Sequence, residues 1–309
     1  MTDEFRLVET DELAAMYDLR ARAFEQGTAS DWAAYRERDP WRDGGADFVA
    51  VSDDRVVATV RLLARRITAV DGELRLAGFA AVASDPAVRR QGYVRRLLAL
   101  AHARNRAAGY DLALLFTRSP WVYAGSAGFS IVPFWALDLD FRQSFVPAGD
   151  WTIRPADPAL DLAGMQQVYD AFGRSRPGYP VRDRAYWTHP ARLTEARWTR
   201  VAVDRDQRVG AYLRLRLTED GRAIAQEYPY RAPAAAEAIV ASLAGDPLLA
   251  QYATLSGRVP RDHVLERYGR LQVRDDAMAC AYTPAGADLI AALGDTPHAR
   301  AVYWSGDSF

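Results

Sequence analysis

Between Ser84 and Leu98 the chain reads SDPAVRRQGYVRRLL, arginines crowded around a single glycine. Ahead of this run, LRLAGFAAVAS is an apolar, small-residue strand. Behind it, VRRLLALAHARNRAAG is a helix with Leu97, Leu98, Leu100 and Ala101 inward and its arginines outward. At a strand-turn-helix junction the first helical N–H groups have no internal acceptor. They face outward with the positive end of the helix dipole and can hold a phosphate. Gly92 lets that backbone approach a ligand closely, while Arg89 and Arg90 add charge where an anion would sit, an arrangement suited to a diphosphate. A basic helix start on a solvated surface would account for isolated arginines but leaves the glycine unexplained.

The elements that must position this loop recur along the chain. FRLVETDELAAMYDLRARAF is an extended start followed by an amphipathic helix, and WTIRPADPALDLAGMQQVYDAF repeats it, each helix carrying a methionine and closing on Ala-Phe. FVAVSDDRVVATVRLL and RVAVDRDQRVGAYLRLRL are alternating hairpins with polar turns at Ser52–Arg55 and Asp204–Gln207. Two copies of one α+β unit, joined in the turn-rich FRQSFVPAGD, fit this order better than one large sheet.

Composition narrows the chemistry. The 309 residues, 50% hydrophobic and 26% charged, can bury a sizeable core. A formal net charge of -1 gives no chain-wide field for nucleic acid, and the arginines of 89–106 have no series of interleaved aromatics, only Tyr93, to stack on bases. Cys280 is the only cysteine, and His102, His189, His263 and His298 lack metal-ligand spacing, so no metal is expected. All 39 side-chain cations are arginine, which rules out the lysine of a P-loop. The opening MTDEFRLVETDEL has no signal-peptide pattern and no apolar run nears ~20 residues, so the expected location is cytoplasmic, with no membrane contact.

The first half resembles the GNAT superfamily of acyl-CoA-dependent N-acetyltransferases. The signature Gln/Arg-x-x-Gly-x-Gly/Ala is matched by Arg89 and Gly92, with Val94 where a small residue is usual. The resemblance implies an α+β fold of two tandem GNAT units, each a mixed, mostly antiparallel sheet flanked by helices. It also implies acetyl-CoA as co-substrate, bound by Val82, Ala83 and Ser84 on a splayed fourth strand and by Arg89, Arg90, Gln91, Gly92, Tyr93, Val94 and Arg95 in the loop. LALLFTRSP resembles the family's fifth strand, and WVYAGSAGFSIVPF its aromatic-tyrosine segment.

A closer likeness is to the Eis (enhanced intracellular survival) type, in which an active GNAT domain precedes a degenerate one. In AIAQEYPYRAPAAAEAIVASL, Pro229 stands at the turn but neither the glycine nor the arginine pair is present. The expected organisation is a catalytic domain over 1–146, a degenerate copy over 147–285 that binds no acetyl-CoA and walls the acceptor site, and a tail over 286–309 in place of the Eis type's sterol-carrier-like third domain. The mycothiol synthase type also pairs two GNAT domains, but its active copy is the second.

The chemistry needs a positioned thioester, a neutral amine and an acid for the departing thiolate. Direct attack by the amine requires no covalent intermediate, consistent with the lack of a Cys-His pair. By resemblance Tyr123 stands at the Eis-type general acid, with Tyr93 and Tyr110 as alternatives and simple packing as the competing role. The Phe309 carboxylate stands where the Eis-type chain terminus reaches the first active site, against the alternative of a frayed end. Glu25 and Asp31 fall where the family lines its acceptor pocket and could attract a cationic amine, with Phe24, Trp32 and Trp121 as apolar walls. The expected partner is a small-molecule or peptide amine, and homo-oligomerisation is left open. A non-catalytic acyl-CoA-binding or regulatory protein of the same fold is the alternative.

Overall fold

The computed structural model describes residues 3–124, 128–142, 149–190, 199–218, 221–261 and 263–294. Their strands are β1 (Glu4–Leu7), β2 (Ala46–Ser52), β3 (Arg55–Ala69), β4 (Gly72–Ser84), β5 (Leu112–Phe116), β6 (Ser130–Ile131) and β7 (Phe134–Asp140), followed by β8 (Thr152–Pro155), β9 (Thr199–Val203), β10 (Val209–Leu217), β11 (Ala223–Glu227), β12 (Thr254–Arg258), β13 (Arg270–Arg274) and β14 (Ala277–Ala281). The helices are α1 (Leu13–Phe24), α2 (Ala29–Glu37), α3 (Tyr93–Ala107), α4 (Pro158–Gly173), α5 (Arg184–Thr188), α6 (Pro233–Leu243) and α7 (Pro284–Gly294).

Local chemistry sets these elements. Asp53 and Asp54, with φ of 49° and 58°, turn β2 into β3 in the left-handed conformation that matches hairpin twist. Thr28 and Asp31 form a reciprocal capping box at the start of α2. Asp157 caps α4 by accepting from the Ala159 N–H at 2.8 Å.

Among the described residues the strands form two mixed seven-stranded sheets, ordered β1-β2-β3-β4-β5-β14-β6 and β13-β7-β12-β11-β10-β9-β8. This is the tandem α+β arrangement that the repeat predicts. In the first sheet β4 and β5 run parallel and every other pair antiparallel; in the second, β11 and β12 take the same place. One face of the first sheet packs Phe48, Val60 and Phe79 with Leu97, Leu98 and Ala101 of α3. The other packs Val49 and Val51 with Met16 and Tyr17 of α1.

The halves exchange strands. β7 leaves the first half to pair with β12 and β13, and β14 returns from the second half to pair with β5 and β6. Sheet membership therefore does not change at one point of the chain. Ala277, Met278 and Ala279 of β14 are fully buried in the first sheet, so a chain ending at residue 146 would lose that ladder and expose the edge of β5. Such a fragment is expected to show no cooperative thermal transition by circular dichroism. A sharp melt like that of the full chain would contradict this.

Candidate active site

β4 carries the first device. Its ladder to β5 stops at Phe79↔Leu115, so the backbone from Ala80 to Ser84 has no strand partner on that side. On its other side, pairing with β3 jumps from Arg61↔Ala80 to Thr59↔Ala83, which leaves a bulge at Ala81 and Val82, with Ala81 at φ 46°. The bulge bends β4 away from β5 and opens a wedge lined by main-chain donors and acceptors that a ligand can satisfy.

The second device closes the far end of that wedge. Gly92 is the N-cap of α3, at φ 85°, and no side chain caps the helix. A Cβ built there would meet only Arg95 Nη2, at 3.7 Å, so backbone conformation and open space, rather than crowding, require the glycine. The N–H groups of Tyr93, Val94 and Arg95 begin the helix without helical acceptors. Arg89, Arg90 and Arg95 are exposed around them.

Two clefts result. One, of about 560 Å³, is lined by Val82, Ala83, Ser84, Arg89, Arg90, Gly92, Tyr93, Val94 and Arg95, among others. Gln91, expected beside them, is exposed and lines neither cleft. The other, of about 780 Å³, lies over the α1–α2 side and includes Phe24, Asp31, Trp32, Tyr35, Arg38 and Ala80. The clefts share Phe24, Val82, Thr117 and Tyr123. The two clefts therefore meet at the mouth of the β4–β5 wedge, with Tyr123 on the wall of both.

Tyr123 follows a short 3-10 turn, Pro120–Val122, and packs edge-on to Phe129 with centroids 6.2 Å apart. Desolvation pushes its hydroxyl up to about 12, so it is protonated at neutral pH. The two alternatives are engaged elsewhere. The Tyr93 hydroxyl lies 3.1 Å from Asp3 Oδ1 and 3.3 Å from Ser52 Oγ, on the β1–β2 side of the sheet. Tyr110 is buried beneath the Arg75 guanidinium, 4.6 Å from its ring centroid, and lines neither cleft.

Asp31 reaches the second cleft, but its Oδ2 accepts from the Thr28 N–H and Oγ–H, both at 2.8 Å, and these bonds hold its carboxyl below the usual range. Trp32 stacks on Phe24 at 5.1 Å to form an apolar wall. Glu25 closes α1 in a left-handed conformation and lines neither cleft; Trp121, 73% exposed, lines neither as well. Phe309, Tyr303 and Trp304 lie outside the described residues. Sequence reasoning missed Tyr35 and Arg38, although both follow from Asp31 at helical spacing on the same α2 face.

The corresponding junction of the second half is built differently. α6 starts at Pro233 after Ala232, at φ −115°, and the N–H groups of Arg231 and Ala232 are tied to the Gly210 carbonyl at 2.8 and 3.1 Å. The Trp151 ring covers Gly210, so that a Cβ there would come within 2.5 Å of it. Glu227 is buried between Arg182 and Arg214, charges that account for its carboxylate within the core.

Comparison with known proteins accords with this geometry. Residues 4–132 match the family of the acetyltransferase (GNAT) domain. The match over residues 4–132 is to a GNAT acetyltransferase domain, and the chain as a whole shares the fold of tandem GNAT proteins, Eis1 among them. A conserved protein of Enterococcus faecalis V583 superposes with a TM-score of 0.74 at 15% identity, covering 91% of this chain and 73% of that one. Eis1 of Mycobacterium abscessus gives 0.65 at 16%, covering 91% and 74%. A tandem GNAT protein from the clavulanic acid biosynthesis pathway gives 0.58 at 15%, covering 92% and 99%. At these identities the likeness is one of fold. No curated protein matches the sequence. Among the described residues no helix is long and apolar enough to cross a membrane, and no group of three or more His, Cys, Asp or Glu side chains could hold a metal ion.

Proposed function

We propose that the first half is a cytoplasmic N-acetyltransferase that moves an acetyl group from acetyl-CoA directly to the primary amine of a small molecule or peptide. The observation that carries this reading is the meeting of the two clefts at Tyr123, where β4 parts from β5. The loop N–H groups, with Arg89, Arg90 and Arg95, suit the diphosphate. The free edge of β4 from Val82 to Ser84 suits the pantetheine amides. A neutral amine entering from the second cleft forms a C–N bond to the thioester carbon as the C–S bond breaks, and the ammonium proton is lost to solvent or a nearby base. Tyr123, with its proton held tightly, donates a hydrogen bond to the departing sulfur.

The second half lacks the glycine and the arginine pair, and the N–H groups of the two residues before its helix are already bonded to Gly210. In this proposal it binds no acetyl-CoA and serves as scaffold and wall. Thiol release from acetyl-CoA, followed across a panel of amines, tests the reading; release with no amine, together with unmodified amines by mass spectrometry, would defeat it.

A further inference from the structure

Behind the acceptor cleft lies a cluster of buried charge that the reaction does not use. Asp47 on β2 accepts from Arg20 Nη2 and Arg61 Nη1, both at 2.7 Å, and Arg20 also donates to Thr59 Oγ1 at 2.8 Å. Asp39 pairs with Arg65 Nη2 at 3.0 Å and lies 3.9 Å from Arg61 Nη2. The side chains of Arg20, Arg61 and Arg65 are 1%, 1% and 9% exposed, those of Asp47 and Asp39 3% and 7%. Three buried guanidiniums thus face two carboxylates. Arg36, one-third exposed, lies 3.6 Å from Asp47 and also pairs with Glu37 Oε1 at 3.5 Å, so it adds no unbalanced charge. Asp183 is tied to the Trp41 indole N–H at 3.1 Å and to the start of α5. Five guanidinium nitrogens of the cluster are left without a hydrogen-bond acceptor, Nε and Nη2 of Arg61 and Nε of Arg20, Arg36 and Arg65, against one carboxylate oxygen, Asp39 Oδ2, without a donor. Buried charge is ordinarily balanced, so the cluster is short of an anion.

The surplus lies against the cleft. Arg61 stands directly opposite Ala80 in the β3–β4 ladder, and cross-strand partners project from the same face about 5 Å apart. Ala80 lines the cleft. Tyr35, on the wall above, has its hydroxyl in the field of Arg65, Arg61, Asp39 and Arg20. Arg38, exposed at the end of α2, lines the same wall. The other charged lining residue, Asp31, stands seven positions earlier at the opposite end of α2, about 10 Å away at helical rise. The cleft is therefore polarised, cationic toward Arg38 and anionic toward Asp31.

Resting on the acetyltransferase reading, we infer that the acceptor is an amine that also carries an anionic group, a carboxylate in the simplest case, seated at the Tyr35–Arg38 wall. The class comprises amino acids and short peptides with a free C-terminus; polycationic amines are disfavoured. A planar carboxylate suits Arg38, whose guanidinium can bind it bidentately, and the cluster beneath supplies field that water screens poorly.

The test uses matched acceptors: dipeptides with a free or amidated C-terminus, and 6-aminohexanoate against its amide. The free carboxylate should raise kcat/KM by about tenfold or more, a factor equal to 1.4 kcal/mol. Arg38→Ala should remove most of that advantage, Arg38→Lys should restore part of it, and acetyl-CoA affinity should stay unchanged in both. Amides that react as well as the acids, or spermine as the best acceptor, would overturn the inference. If no amine in the panel is acetylated, the acetyltransferase reading fails. Calorimetry of the same acids and amides then decides the inference separately: carboxylate-dependent binding lost in Arg38→Ala sustains it, and equal or undetectable binding of both members overturns it.

Discussion

Gly92→Asp is expected to lower acetyl-CoA affinity by more than a hundredfold while the protein stays folded. The residue caps α3 at φ 85°, and the space beside it holds only the end of Arg95. Aspartate tolerates the left-handed region better than most residues, so the folded state loses about 1 kcal/mol or less. A bound diphosphate would meet both a side chain and a negative charge where bare backbone now stands. Ala232→Asp at the corresponding place in the second half is the control. Position 232 is an N-cap in extended conformation, where aspartate is favourable, and acetyl-CoA affinity should not move. Unchanged affinity in a folded Gly92→Asp protein would remove the loop from the site.

Tyr123→Phe keeps the ring against Phe129 and deletes only the hydroxyl. Turnover should fall ~10²–10⁴-fold, the usual share of a positioned acid, with acetyl-CoA binding little altered. The pH profile carries a second reading. Burial raises the Tyr123 pKa to about 12, so its protonated, donating form persists through neutral and mildly alkaline pH and is lost only as pH rises through that value. The rate should therefore climb with pH as the acceptor amine deprotonates, with no decline from Tyr123 below about pH 11. An unaffected rate in Tyr123→Phe would make the residue a packing group. An equal loss in Tyr93→Phe would move the role, although that hydroxyl is occupied by Asp3 and Ser52.

The proposed phosphate loop was legible because its parts are contiguous: one glycine, its arginines and the helix that follows lie within a dozen residues. Hairpin turns such as Asp53-Asp54 are local in the same way. The strand exchange is not local. FWALDLD alternates as any half-buried strand does, and nothing in it records which sheet its edges will meet. The bulge that opens β4 rests on an alanine at positive φ, a conformation imposed by the surrounding sheet rather than by alanine itself. The arginines at positions 61 and 65 were visible as cations at strand period within RLLARR, but their partners Asp47 and Asp39 lie 14 and 26 positions earlier and meet them only in the folded sheet. The wall of the second cleft was half legible: Asp31 and Trp32 were recognised, while Tyr35 and Arg38, one and two turns further along α2, complete it.

The most direct measurement is a calorimetric titration of the full chain with acetyl-CoA, read for stoichiometry. One competent loop and one closed junction predict a single equivalent bound per chain, eliminated by Gly92→Asp and untouched by Ala232→Asp. Two equivalents, none, or a single site that survives Gly92→Asp would contradict the assignment of acetyl-CoA to the first half.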